Sequence, residues 1–147
     1  MGESAVSKRP EVLVVEDDLL FSVRIENTLK RLGYAVTVLG NGPEAIAHAE
    51  RHAPALAIVN FGKESTNPSE VVKHLKRLPD APPVLGYVSH VWLPQVRPNA
   101  MAVGCDLLVA NSALTMRLQQ LVARLAPLDG SAARVHEAAQ FAEDAEE

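Results

Sequence analysis

The sequence predicts an α/β domain in which a doubly wound, five-stranded parallel sheet is covered by helices on both faces, giving three layers. Three observations carry this. Val12-Leu13-Val14-Val15 is an unbroken β-branched run, as a strand buried on both faces requires. Similar runs recur along the chain, separated by longer amphipathic stretches with capping and turn residues at their ends. Each separation leaves room for a helix, so consecutive strands pair in parallel through helical crossovers.

The elements follow in order. After the first strand, Asp18 can cap a helix over Leu19–Leu32, with Leu19, Val23, Ile25, Leu29 and Leu32 as its apolar positions and Gly33 as its stop. Ala35–Leu39 is the second strand. Asn41-Gly42-Pro43 turns the chain into a helix that runs to about residue 52, with proline at its start. The third strand covers 55–59 and delivers Asn60 at its end. A polar loop, 62–67, precedes a helix over 68–78, and Pro82-Pro83 breaks the chain before a fourth strand, Val84–Val88. The fifth strand is 107–109 and the fifth helix 112–125. A fourth helix belongs between Ser89 and Gly104, where Pro94 and Pro98 interfere. An interior proline costs about 3 kcal/mol, so a short helix opened by Pro98 is expected, with a kinked one as the alternative. Five such units make a flavodoxin-like fold, whose ligands sit beyond the carboxyl ends of the strands.

A chain of 147 residues suits one domain, expected over 11–128, with a flexible segment at 1–10 and an Ala/Glu-rich tail at 129–147. Two readings of that tail stand: a solvated, frayed segment, or a helix that docks on a partner or on the domain itself through Val135, Ala138, Ala139 and Phe141. Aromatic residues are 4% of the chain, so Ala, Val and Leu must build the core. A net charge of −4 gives no reason to expect nucleic acid, whose binders carry concentrated basic patches. The lone Cys105 cannot form an internal disulfide, and it reads as a small buried hydrophobe. No apolar run approaches the roughly 20 residues that span a bilayer. A cytoplasmic protein with no membrane association is expected.

Glu16 and Asp17 follow the first strand, Asn60 the third, Ser89 the fourth and Asn111 the fifth, and all five are expected to project into one crevice. With Val12-Leu-Val-Val-Glu-Asp-Asp18, Leu32-Gly-Tyr-Ala-Val36, Asn41-Gly-Pro-Glu-Ala-Ile46, Pro54-Ala-Leu-Ala-Ile-Val-Asn60 and Val103-Gly-Cys-Asp106 in this order, the chain resembles the receiver domains of two-component response regulators. The resemblance covers about 12–125.

It implies that Glu16 and Asp17 match an acidic pair that binds Mg²⁺, a hard cation suited to carboxylates. The alternative is that they only favour the positive end of the following helix. It also implies a nucleophilic aspartate where Asn60 stands. An amide lacks the full charge needed to attack a phosphoryl group, and no Asp lies between Pro54 and Pro79. The lysine expected to close the fifth strand is replaced by Asn111. These two losses balance. Removing the aspartate alone would strand a lysine, and removing the lysine alone would leave three repelling carboxylates. Each such pair is worth on the order of 3 kcal/mol at ~5 Å and an effective dielectric of about 20. The hydroxyl expected at the end of the fourth strand falls on Ser89 when counted back from Gly104, or on Val88 when counted forward from Pro83. Ser89 is preferred, and a local hydrogen bond is its plain alternative. The loop histidine His90 reads as a local hydrogen-bonding residue.

A pocket of this kind predicts a stand-alone pseudo-receiver, a signalling or scaffold module independent of phosphorylation, with no enzymatic activity and no cofactor beyond weakly held Mg²⁺. Its partner is an unidentified signalling protein or a second copy in a homodimer, and no output domain is expected to follow. The expected interaction face joins the fourth helix region to the fifth, with Trp92, Leu93, Met116, Arg117 and Gln120. Trp92 has the alternative of simply covering the sheet edge. The second function in view is a regulatory domain that holds a small polar ligand among Glu16, Asn60, Ser89 and Asn111.

Overall fold

The computed structural model describes residues 9–128. The readings made for 1–8 and for 129–147 lie outside the described residues. Five strands, β1 (Glu11–Val15), β2 (Ala35–Leu39), β3 (Leu56–Asn60), β4 (Val84–Val88) and β5 (Leu107–Ala110), form one parallel sheet in the order β2-β1-β3-β4-β5. The helices are α1 (Leu19–Leu32), α2 (Gly42–Arg51), α3 (Pro68–Lys76), α4 (Leu93–Val103) and α5 (Asn111–Leu125). The doubly wound architecture is as the sequence predicts.

Strand side chains alternate between two cores because successive residues face opposite ways. Val12, Val14, Leu56, Ile58, Leu85 and Val109 meet α1 and α5 through Ile25, Leu29, Leu114, Leu118 and Leu121. Leu13, Val15, Ala57, Val59, Val84 and Leu108 meet α2, α3 and α4 through Ala45, Ala49, Val71, Val72, Leu75 and Ala100. Complete burial of a Val or Leu is worth about 1.5–3 kcal/mol, so the β1 run Val12–Val15, with no exposed surface at all, anchors both layers. Small residues on α2 let that helix lie close to the sheet.

Local signals set the helix ends. The Asp18 carboxylate accepts the Phe21 N–H at 3.0 Å, and Asn41 accepts the Glu44 N–H at 2.9 Å. Gly33 ends α1 with φ +107°, the left-handed conformation that a glycine adopts without strain. Just past α5, the Tyr34 hydroxyl donates to the Ala126 carbonyl at 2.6 Å, tying the end of α5 to the start of β2.

Four expectations need correction. α4 is neither short nor opened by Pro98: it runs for 11 residues, with Pro94 in its first turn and Pro98 in its interior. Pro94 sits where the N–H has no helical partner anyway, so only Pro98 forfeits a bond, and Leu93 and Ala100 pack against the sheet to hold the helix. α3 ends at Lys76, two residues early, where the Lys76 ammonium turns to the Pro82 carbonyl at 2.8 Å and to Asp106. Leu19 and Val23 are exposed, while Ser22 takes the buried position of that first turn and Ile25 and Leu29 continue it. α5 starts one residue early and departs from helical geometry at Arg117.

The single thiol behaves as expected of a core residue. Cys105 is 5% exposed and packs among α4-side residues, where burial pushes its pKa up to about 11. Across from it, Gly86 in β4 leaves space for the Phe61 ring. A β-carbon there would stand 2.7 Å from two ring carbons. Among the described residues no helix is long and apolar enough to cross a membrane.

Candidate functional site

The strand order reverses between β1 and β3, so their carboxyl ends open a cleft between them. It measures about 150 Å³ and is lined by Glu16, Asp18, Phe21, Asn60, Lys63, Tyr87 and Asn111. Of the five residues expected there, Glu16, Asn60 and Asn111 line it. Asp17 and Ser89 do not. Four other residues do, and two of them change its chemistry.

The centre is the Glu16 carboxylate, which is 3% exposed. One oxygen accepts from the Asn60 amide Nδ2 at 2.8 Å and from the Tyr87 hydroxyl at 2.5 Å. The other accepts the Asp18 backbone N–H at 2.9 Å. Asn60 is committed at both ends, since its Oδ1 accepts the Gly62 N–H at 2.6 Å. The two demands fix the amide's orientation: a donor must face the carboxylate and an acceptor must face the N–H. An aspartate at 60 satisfies only the second. Burial, then the bond to Glu16, keeps the Tyr87 phenol protonated far above its ordinary range. Tyr87 therefore serves as a donor throughout the working pH range, and its ring rests against Phe21 with centroids 5.4 Å apart.

Asp17 turns away, toward the loop after β3. Its oxygens bond Lys63 Nζ at 2.9 Å and Ser65 Oγ at 2.5 Å. Those contacts, the serine first and the lysine next, hold the Asp17 carboxyl below its usual value, and Asp17 raises Lys63 in return. The loop is pinned from within. The buried Thr66 hydroxyl lies 2.7 Å from the Asn60 carbonyl and 2.8 Å from the Lys63 carbonyl. A cation thus stands at the cleft, supplied by the loop after β3 and not by the end of β5, where Asn111 leaves no charge.

The sign of the Asp17 effect is testable. A carboxyl depressed in the folded state contributes stability that is present above its unfolded pKa and is lost as pH falls through the folded one. Lys63→Met is expected to raise the Asp17 pKa, read from side-chain carboxyl NMR. Asp17 unchanged in that variant would mean that Lys63 does not hold it.

The hydroxyl position also needs correction. β4 ends at Val88, which is 1% exposed and whose methyl lies near Gly62, 3.6 Å from where a β-carbon would stand. Ser89 follows the strand, and its carbonyl accepts the Trp92 N–H at 2.9 Å to start the turn into α4. Neither Val88 nor Ser89 is among the residues that line the cleft. On the expected interaction face, Trp92 and Met116 are exposed at 54% and 75%, and Gln120 is exposed, whereas Leu93 is buried and Arg117 half-buried.

Among solved structures, the receiver domain of a sensor histidine kinase from Pseudomonas aeruginosa superposes with a TM-score of 0.70 at 23% identity, covering 80% of this chain and 97% of that one. A response regulator from Hahella chejuensis gives 0.72 at 22%, covering 83% and 98%. A chemotaxis response regulator of Vibrio cholerae gives 0.65 at 22%, covering 77% and 98%. The chain has the receiver-domain fold. No protein-family model matches the sequence, and no curated protein does. The Pseudomonas receiver domain carries a magnesium ion coordinated in its active-site cleft. The residues of this cleft do not suit such an ion. Both Glu16 oxygens accept from protein donors, the Asn60 amide turns its N–H₂ toward them, and Asp17 is paired with an ammonium. Among the described residues there is no cluster of three metal-ligating side chains.

Proposed function

We propose that this receiver fold is a signalling or scaffold module that works without phosphorylation, through protein contact, in the cytoplasm. It is a binding module and not an enzyme, and it needs no cofactor. The observation that supports this most is the Asn60 amide donating to Glu16. The place of an acyl-phosphate nucleophile is held by a group that cannot attack and whose two ends are both engaged. A cleft of about 150 Å³ is below the ~300–1,000 Å³ typical of small-ligand pockets, so the protein-contact reading stands ahead of ligand sensing. Mg²⁺ binding is at most weak, since the ion would have to compete with three donors on Glu16 and two on Asp17.

Incubation with Mg²⁺ and acetyl phosphate is expected to leave the mass unchanged. A stoichiometric phosphoryl adduct on any cleft residue would overturn the reading. The contact face runs from Trp92 to Met116 and Gln120, where exposed aromatic and long apolar side chains are the usual anchors. The partner is another signalling protein or a second copy. Met116→Asp with Gln120→Glu is expected to weaken crosslinked partner or dimer yield at least tenfold, with Asn60→Ala leaving it intact. The opposite pattern would move the functional site to the cleft.

A further inference from the structure

A second depression lies between α1 and α5, away from the cleft. It has a volume of about 330 Å³, twice that of the cleft. Ile25, Leu114 and Leu118 form its apolar floor, and Arg24 and Arg31 stand on it. Seven residues apart, the two arginines lie two helical turns from each other on one stripe of α1. The surroundings reinforce them. α1 and α5 together carry five basic residues, Arg24, Lys30, Arg31, Arg117 and Arg124, against one acid, Glu26, which is paired with Lys30.

The chain's charge is divided to match. Residues 1–128 contain 13 basic and 12 acidic side chains, while residues 129–147 contain one and six, so the net −4 is made of +1 and −5. The acidic part also starts in the right place. A Leu128 methyl lies 3.4 Å from where a β-carbon on Gly33 would stand, so the chain leaves the fold at the end of α1, two residues past Arg31. From Gly33 back to Arg24 the groove is about 14 Å long at the helical rise, and nineteen extended residues reach roughly 60 Å.

We propose that the α1–α5 groove is a docking site for the chain's own acidic segment, residues 129–147, with carboxylates on Arg24 and Arg31 and apolar side chains on Ile25, Leu114 and Leu118. Glu137, Glu143 and Asp144 supply the charge, and Val135 and Phe141 supply the apolar contacts. Tethering puts the segment at an effective concentration in the millimolar range, so weak contacts suffice to fill the groove. Any acidic partner for this face must then displace it, and salt must loosen it.

The test uses the full chain carrying Gln140→Cys with a nitroxide on the new thiol, since the buried Cys105 does not compete for the reagent. In ¹⁵N spectra at low salt, the amides of Arg24, Thr28, Arg31 and Thr115 are expected to lose at least half their intensity, and those of Val84 and Trp92 are expected to keep theirs. Adding 0.5 M NaCl (roughly a 4 Å screening length) or introducing Arg24→Glu with Arg31→Glu restores the signals. Both arginines are exposed, and an unchanged melting temperature verifies that the pair of substitutions keeps the fold. Broadening that is absent from α1 and α5, or that survives salt and charge reversal, overturns the proposal. So does broadening that is reproduced when spin-labelled ¹⁴N protein is mixed with unlabelled ¹⁵N protein, which would place the segment on a second copy.

Discussion

Asn60→Asp is expected to destabilise the protein by about 2–4 kcal/mol at neutral pH in the absence of metal, lowering the melting temperature by roughly 8–15 °C. The cause is local. The amide nitrogen that donates to Glu16 at 2.8 Å becomes a carboxylate oxygen facing another carboxylate. At that separation the raw repulsion is several kcal/mol even at an effective dielectric of about 20, and the pair responds by retaining a proton. A proton held in the folded state and released in the unfolded one stabilises more as pH falls. The variant is therefore expected to regain stability between pH 7 and pH 5, where the parent shows no such gain. Millimolar Mg²⁺ is expected to restore it as well, because three hard carboxylates then replace two carboxylates and an amide. Thermal melts with and without Mg²⁺ at both pH values decide the matter. A variant as stable as the parent at pH 8 without metal would show that the Asn60–Glu16 bond contributes nothing.

The second large effect concerns Glu16 itself. Glu16→Ala leaves the Asn60 amide, the Tyr87 hydroxyl and the Asp18 N–H without their acceptor. Each buried donor left unpaired costs about 1–3 kcal/mol. Water admitted through the open cleft offsets part of that, so a total loss of about 3–5 kcal/mol is expected by denaturant titration. The direction discriminates between two roles. A carboxylate held in place for an absent ion repels its acidic neighbours, Asp17 and Asp18, and removing it would stabilise the metal-free protein. A carboxylate that organises three donors is missed. Glu16→Gln is expected to lose less, about 1–2 kcal/mol, since one oxygen still accepts. A stabilised Glu16→Ala protein would return Glu16 to the role of metal ligand.

The sheet and most helix limits could be read from the sequence because they depend on period and punctuation. Val12–Val15 has no polar member to break its burial, and Asp18, Gly33 and Asn41 mark ends by local chemistry that acts the same way in any fold. The interior of α4 could not be read so. The proline rule gives the cost of Pro98, but the compensating burial of Leu93 and Ala100 exists only once the sheet is formed. Asn60 and Asn111 could be placed at the cleft because strand ends fix their position. Lys63 was missed because loop residues have no register: the Thr66 hydroxyl, bonded back to the Asn60 and Lys63 carbonyls, and the ion pair with Asp17 set where that lysine stands. Tyr87 carried a usable signal. A tyrosine near the end of a buried strand must find a partner for its hydroxyl, and the acid that follows β1, two strands away, was the available one.

Cys105 gives this molecule an internal clock. Its sulfur lies beneath α4, 3.1 Å from the Leu107 carbonyl, and a bulky thiol reagent cannot reach it while the helix is in place. Alkylation in the native state therefore counts openings. With reclosure faster than reaction, the observed rate divided by that of a free thiol gives the open population, and every tenfold retardation corresponds to about 1.4 kcal/mol of protection. Melting measures the whole domain, but this rate isolates the α4 layer, where Pro98 forfeits one helical bond. A rate faster than global unfolding permits would identify α4 as a unit that detaches by itself, and would time the departures of the element that begins beside Trp92.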